Sequence, residues 1–374
     1  MKDYNFTELN EMLDSFLEAG TPGIDCIVYK DGEEVFRRFD GFSDYEKKTP
    51  VNGKERYNIY SCSKPITCTA AMQLYEKGLF KLDDPLYEYL PEFRKMYVKS
   101  ENGDIAPAKN AITIEHLFTM TAGLTYDLAT EKLLLARKET DSRCPTRETM
   151  KYLARDPLAF EPGTKYNYSL CHDVIAALVE VVSGESFAEY VKKNIFEPLG
   201  MKNSSFLIPD SELDSICAQY RYNNETKVYE NYGKKNNFKL GSEYASGGAG
   251  CISTVDDYIK FLEAMRKGSV ILKAETTDLM TRNHLNRECL ETYTICDNIL
   301  SECVKSYGYG LGLRCPLDES SPESDFGWGG AAGAYLAADR KYGFTLFYAQ
   351  QVLNSPIQSI RSNLRKPVRK AFGV

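Results

Sequence analysis

The chain has 374 residues, 43% hydrophobic and 26% charged, which is the make-up of an ordinary folded globular protein and excludes a disordered, collagen-like or coiled-coil one. Its 46 Lys and Arg against 53 Asp and Glu leave a formal charge of −7. That balance argues against a surface built to wrap nucleic acid.

The N-terminal stretch carries charges every few residues and has no apolar run of signal-peptide length. No segment reaches the ~18 apolar residues needed to cross a bilayer, so no membrane partner is expected. With Met1 read as the natural start, the expected location is the cytoplasm. The 11 cysteines are odd in number, spread from Cys26 to Cys315, and contain no CxxC pair. Cys289, Cys296 and Cys303 recur at a regular interval, but one much wider than zinc pairs favour. His116, His172 and His284 stand far apart, without an HExxH. Free thiols in a reducing compartment are expected, with no metal and no cofactor.

In chain order, Cys26 to Tyr29, a turn at Lys30-Asp31-Gly32, and Val35 to Phe39 read as a hairpin. Helical patterns follow over Pro65 to Gly78, Ile114 to Thr121, His172 to Ser183, Phe187 to Ile195 and Val255 to Lys267. The run from Val174 to Val182 carries one charge, Glu180, as a mostly buried helix would. The polar stretch 219–243 reads as a long surface loop or irregular hairpin. A second hairpin follows, with Ala334 to Ala338 and Phe344 to Gln350 joined by a turn from Asp339 to Gly343. Ser355 to Phe372 then reads as a final helix. Arg361, Arg365, Lys366, Arg369 and Lys370 are its expected solvated face. Strands at both ends with helices between predict an α+β fold. One antiparallel sheet would come from 1–58 and 250–374, with a mostly helical lobe inserted over 59–249.

The segment Ser61-Cys62-Ser63-Lys64-Pro65 opens a helix, since Pro65 suits a first turn where its missing N–H costs nothing. Ser61 then sits at the helix mouth with Lys64 one turn on and on the same side. A serine hydroxyl needs a base within hydrogen-bond reach to act as a nucleophile, and a lysine at i+3 can supply it. The same spacing also fits a serine N-cap followed by a surface lysine, with Ser63 competing as the cap. No G-x-S-x-G elbow occurs, and a Ser–His–Asp triad would have to recruit an isolated histidine. Glu161, Asp173 and Asp257 have no pairing pattern and read as capping or surface residues.

Around Ser61 the chain resembles the serine β-lactamase and penicillin-binding protein superfamily, for which SxxK is a known signature. Further segments match in the same order: 78–91 (GLFKLDDPLYEYLP), 112–124 (ITIEHLFTMTAGL), 161–169 (EPGTKYNYS), 196–201 (FEPLGM), 247–258 (GGAGCISTVDDY) and 326–330 (FGWGG). The likeness runs from about residue 20 to 350 and is greatest to the class C β-lactamase-like branch that includes family VIII carboxylesterases. It implies a β-lactamase/transpeptidase-like fold with the active site between the two lobes. It also implies Ser61 as acylated nucleophile, Lys64 as its proton partner and Tyr168 as the tyrosine sharing that proton. Trp328, Gly329 and Gly330 fall where β-lactamases carry Lys-Thr-Gly on an edge strand, as a substrate-binding wall. The N–H groups of Ser61 and Ala331 would form the oxyanion hole.

Two departures bear on the substrate. The Tyr-x-Asn motif here is Tyr168-Ser169-Leu170, while the true Tyr-x-Asn at Tyr222-Asn223-Asn224 lacks the Pro-Gly lead-in and reads as a decoy. No Lys-Thr-Gly occurs, so the cation that would hold a β-lactam carboxylate is missing at Trp328. Both losses imply an apolar pocket suited to small, uncharged esters. The expected function is a carboxylesterase working through an acyl-enzyme. The alternatives are a β-lactamase or D-amino-acid peptidase acting on cell-wall-like amides, and a non-catalytic binding or sensor protein of the same fold.

Overall fold

The computed structural model describes residues 4–296 and 306–374. The N-terminal hairpin forms as β1 (Gly23–Lys30) and β2 (Glu33–Asp44), followed by a short β3 (Thr49–Pro50). Its turn places Asp31 and Gly32 at φ 55° and 93°, the left-handed values that a DG pair tolerates. The other end of the chain supplies β4 (Tyr307–Tyr309), β5 (Arg314–Pro316), β6 (Asp325–Gly329), β7 (Tyr335–Asp339) and β8 (Phe344–Ala349). The sheet runs β4-β5-β6-β7-β8-β1-β2-β3 with antiparallel neighbours throughout. The two chain ends therefore meet at its centre, where Cys26 faces Tyr348 and Val28 faces Leu346.

Both faces of the central strands are covered, which is why they read as nearly unbroken apolar runs. On one face Ile24, Cys26, Val28, Leu346 and Tyr348 pack under α1 (Thr7–Glu18) and the last helix. On the other, Ile27, Leu336 and Phe347 join the larger core. There α2 (Ser63–Glu76) packs on α3 (Cys171–Ser183), and α4 (Val255–Lys267) covers β8. Phe347 stacks on Tyr258 of α4 with ring centroids 4.2 Å apart. Phe347→Ala is expected to cost about 3–5 kcal/mol, read as a lowered urea midpoint. A loss below about 1 kcal/mol would mean that this face is not a packed interface.

From Ser63 to Met72, α2 is buried without a break. The helix expected from Ile114 to Thr121 stops at Phe118, because Met120 turns into the left-handed region at φ 59°. The one expected from Phe187 continues past Val191 as a π-helical turn, Lys192–Phe196. The polar stretch resolves into a hairpin, Gln219–Asn223 with Val228–Gly233. Nine cysteines are free and buried. Cys303 and the side chain of Cys296 lie outside the described residues. No helix among the described residues is long and apolar enough to cross a membrane.

The C-terminal expectation needs correcting. Only α5 (Arg365–Phe372) is α-helical, after a single 3-10 turn at Arg361–Leu364. Pro367 explains the late start, since its ring nitrogen cannot donate in a helix interior but is harmless in a first turn. The basic cluster is a solvated face only in part, for Lys366 and Lys370 are exposed whereas Arg361 and Arg365 are 1% and 0% exposed. The Nε of Arg365 lies 3.9 Å from carboxylate oxygens of both Glu323 and Asp325, so burial is matched by opposite charge.

Candidate active site

Ser61 occupies a 3-10 turn, Tyr60–Cys62, that runs directly into α2. The residue before it is strained, with Tyr60 at φ 47°, a conformation costly for an aromatic side chain. Tertiary contacts hold it there. The Tyr60 hydroxyl donates to Gln219 Oε1, and its ring meets Phe238 edge-on at 5.3 Å. Ser63 does not cap the helix; its hydroxyl donates to the Tyr60 carbonyl and accepts from the Cys251 N–H at 2.9 Å.

Lys64 is fully buried, not a surface lysine. Its Nζ donates to Ser61 Oγ at 3.1 Å and to the Gly248 carbonyl at 2.7 Å. That close approach needs glycine, because a Cβ on Gly248 would stand 2.6 Å from Asp173 Oδ2 and 3.5 Å from Lys64 Nζ. Asp173 is therefore no surface residue but a buried carboxyl beside the same loop as the Lys64 amine. Burial pushes its pKa up, while Ser246, Lys64, Tyr244 and the Gly248 N–H pull the other way. Neither of its oxygens makes a well-formed hydrogen bond.

Tyr168 reaches Ser61 from the loop ahead of α3, and its hydroxyl donates to Ser61 Oγ. Backbone bonds from Asn167 to Met120 (2.9 Å) and from Leu170 to Thr125 (3.2 Å) fix that loop. The Tyr168 ring is stacked between Tyr126 (5.4 Å, 7°) and Trp328 (5.9 Å, 22°). Lys64 Nζ lies 4.5 Å from its centroid. Three residues separated by up to 107 positions thus converge on one oxygen.

Trp328 is 5% exposed and also meets Tyr309 edge-on at 5.0 Å. Its strand, β6, is not an edge strand, as β5 lies outside it. The β5 pairing is a single register position, Arg314 opposite Gly327, so beyond Gly327 that side of β6 is open to the cleft. At the end of β6, a Cβ on Gly330 would stand 2.3 Å from the Ile59 carbonyl. The missing side chain lets the 329–331 backbone close on the segment carrying Ser61. Among the described residues, the N–H groups of Ser61 and Ala331 have no acceptor.

Ser61, Tyr168, Trp328 and the 329–331 backbone line a cavity of about 260 Å³ whose other walls are Tyr60, Tyr126, Tyr166, Phe238, Tyr293, Ala249 and Arg361. Tyr126, Phe238 and Gly248 were not singled out by sequence reasoning. Tyr126 lies just past the matched 112–124 segment, whereas Phe238 comes from the polar stretch and has no local signal. Tyr222-Asn223-Asn224 lies on the 219–233 hairpin, where Asn223 Oδ1 accepts from Glu225 and Thr226 in the turn. No histidine contacts Ser61. His172 is buried behind α2 with Nε2 3.2 Å from the Phe118 carbonyl and 3.7 Å from Cys68 Sγ. Burial, assisted by the Lys64 charge, pushes its pKa down to about 3.

A family model described as Beta-lactamase matches residues 6–359, and the chain belongs to that family. It is 27% identical over 350 residues to Esterase EstB of Burkholderia gladioli, covering 87% of this chain and 84% of that protein. To Lovastatin esterase of Penicillium rubens it is 27% identical over 322 residues, 79% of each. A solved structure titled "EstCE1, a hydrolase with promiscuous acyltransferase activity" superposes with TM-score 0.77 at 23% identity, covering 98% of this chain and 97% of that one. The fold is thus the β-lactamase/transpeptidase-like fold, and the chain is a serine hydrolase of that class.

Proposed function

We propose that the protein cleaves small, uncharged carboxylic esters through an acyl-enzyme at Ser61. The observation that carries this reading is the meeting of Lys64 Nζ and the Tyr168 hydroxyl on Ser61 Oγ, at the floor of a cavity walled by aromatic rings. Ser61 Oγ adds to the ester carbonyl and its proton passes to the Lys64–Tyr168 pair, which takes part carrying one proton fewer than a lysine ammonium and a phenol together hold. The carbonyl oxygen takes the negative charge between the Ser61 and Ala331 N–H groups, each such donor being worth about 2.7–4 kcal/mol. The pair then protonates the leaving alcohol. Water, or a second alcohol, attacks the acyl-enzyme and restores Ser61. Both named relatives above are esterases, and the solved neighbour's title adds acyl transfer, which this second step accommodates.

The aromatic walls and the absence of a Lys-Thr-Gly side chain support uncharged acyl groups over β-lactams. The test is turnover of p-nitrophenyl butyrate against nitrocefin. The ester is expected to be preferred in kcat/KM by at least about 100-fold, which corresponds to about 2.7 kcal/mol. Nitrocefin turned over faster would reverse the reading in favour of a β-lactamase. Tyr126→Ala removes one of the rings stacked on Tyr168. It is expected to raise KM for p-nitrophenyl butyrate by about threefold to tenfold through lost apolar contact. An unchanged KM would mean that this wall does not touch the substrate.

A further inference from the structure

Arg361 has no role in the chemistry above, yet it is buried beside the cavity, which its side chain helps to line. Its Nη1 donates to the Gly330 carbonyl at 2.6 Å and to Gln358 Oε1 at 2.7 Å. Among the described residues its Nε and Nη2 have no hydrogen-bond partner and no carboxylate pairs with it. A buried guanidinium without a counter-ion is expensive, and packing alone would be better served by an apolar side chain. Burial pushes its pKa down only to about 10, so the side chain is cationic at neutral pH.

The Gly330 carbonyl belongs to the same peptide plane as the Ala331 N–H. In a trans peptide the two point in opposite directions, so fixing one aims the other. The Gly330 oxygen is held twice, by Arg361 and by the Gly333 N–H at 3.0 Å. The Ala331 N–H therefore points away from Arg361; it has no acceptor among the described residues and belongs to a residue that lines the cavity. A charge-assisted bond at the carbonyl also polarises the amide and strengthens its N–H as a donor.

We propose that Arg361 is a positioning residue for the oxyanion hole, setting and polarising the Gly330–Ala331 peptide from behind. This rests on the acyl-enzyme reading of Ser61 and gives the buried, unpaired cation a purpose. Its effect belongs to the tetrahedral state, when charge sits on the carbonyl oxygen, and not to substrate binding.

The test compares Arg361→Met, Arg361→Lys and Gln358→Leu in the full chain, measuring kcat and KM for p-nitrophenyl butyrate. The affinity for phenylboronic acid, whose tetrahedral adduct with Ser61 mimics the oxyanion, and the melting temperature complete the set. Arg361→Met is expected to lower kcat about 100-fold with KM moved less than about threefold. Boronate affinity should fall by a similar factor while the melting temperature holds or rises. Arg361→Lys, keeping a cationic donor, should recover part of the loss, and Gln358→Leu should show a smaller one of the same kind. A folded Arg361→Met with kcat and boronate affinity within about threefold of the parent would overturn the proposal. So would a loss confined to KM for carboxylate-bearing esters, which would make Arg361 a direct anion contact. Should Arg361→Met not fold, Gln358→Leu decides, and unchanged kcat with unchanged boronate affinity overturns it. Failure of the Ser61 reading would show separately, as turnover surviving in Ser61→Ala.

Discussion

Ser61→Ala is expected to lower kcat/KM for p-nitrophenyl butyrate by at least about 10⁴-fold and to abolish labelling by a fluorophosphonate probe. The hydroxyl is the one nucleophile at the cavity floor on which both Lys64 and Tyr168 converge. The fold should scarcely notice the change, because the deletion leaves a small, well-supported turn. Ser63 still ties Tyr60 to Cys251, and Lys64 keeps the Gly248 carbonyl. The melting temperature therefore serves as the control. A folded Ser61→Ala retaining more than about a tenth of the parent activity would end the acyl-enzyme proposal.

Lys64→Met is expected to lower kcat by about 10³–10⁴-fold, and Tyr168→Phe by about 10²–10³-fold, each with KM moved much less. The order follows from the contacts. Lys64 touches Ser61, holds Gly248 and lies beneath the Tyr168 ring, so removing it disables both members of the pair. Removing only the Tyr168 hydroxyl leaves the amine in place. The two losses should be far from additive, since in the proposed mechanism the residues handle one proton between them. Lys64→Met also removes a fully buried amine whose hydrogen-bond acceptors, Ser61 Oγ and the Gly248 carbonyl, are uncharged. Its melting temperature is accordingly expected to hold or rise while activity collapses. Measuring kcat and melting temperature on the single and double variants checks both points. Fully additive losses would mean that Lys64 and Tyr168 act independently.

Much of the fold was legible because it rests on local signals. Apolar periodicity marked β1, β2, β7, β8 and α4, and the DG turn marked the first hairpin. Pro65 marked the start of α2 to within two residues. The failures have a common cause. From sequence alone Arg361 and Arg365 belong to a solvated face because charge is a local property, whereas what meets them is brought from Gly330, Glu323 and Asp325. The sequence likewise offers only a capping or surface role for Asp173, whose burial comes from distant segments. The last helix was drawn too long because its apolar spacing continues past a backbone that Pro367 interrupts.

The site divides in the same way. By itself the sequence determined which residue types could carry acyl transfer: a serine and lysine one helical turn apart, a tyrosine after a Pro-Gly turn, and a glycine-flanked tryptophan ahead of a strand. It also determined, through the missing Lys-Thr-Gly, that no cation comes from that strand. Only the tertiary structure decided that Lys64 is buried with its amine on Ser61, that Tyr168 is locked between Tyr126 and Trp328, and that Phe238 closes the pocket. It alone placed the Arg361 cation behind the Gly330–Ala331 peptide. Residue type sets what a group can do, but reach, burial and the aim of a backbone N–H depend on segments far apart in the chain. Those relations exist only once the sheet has joined the two chain ends and α2 has been packed beneath it.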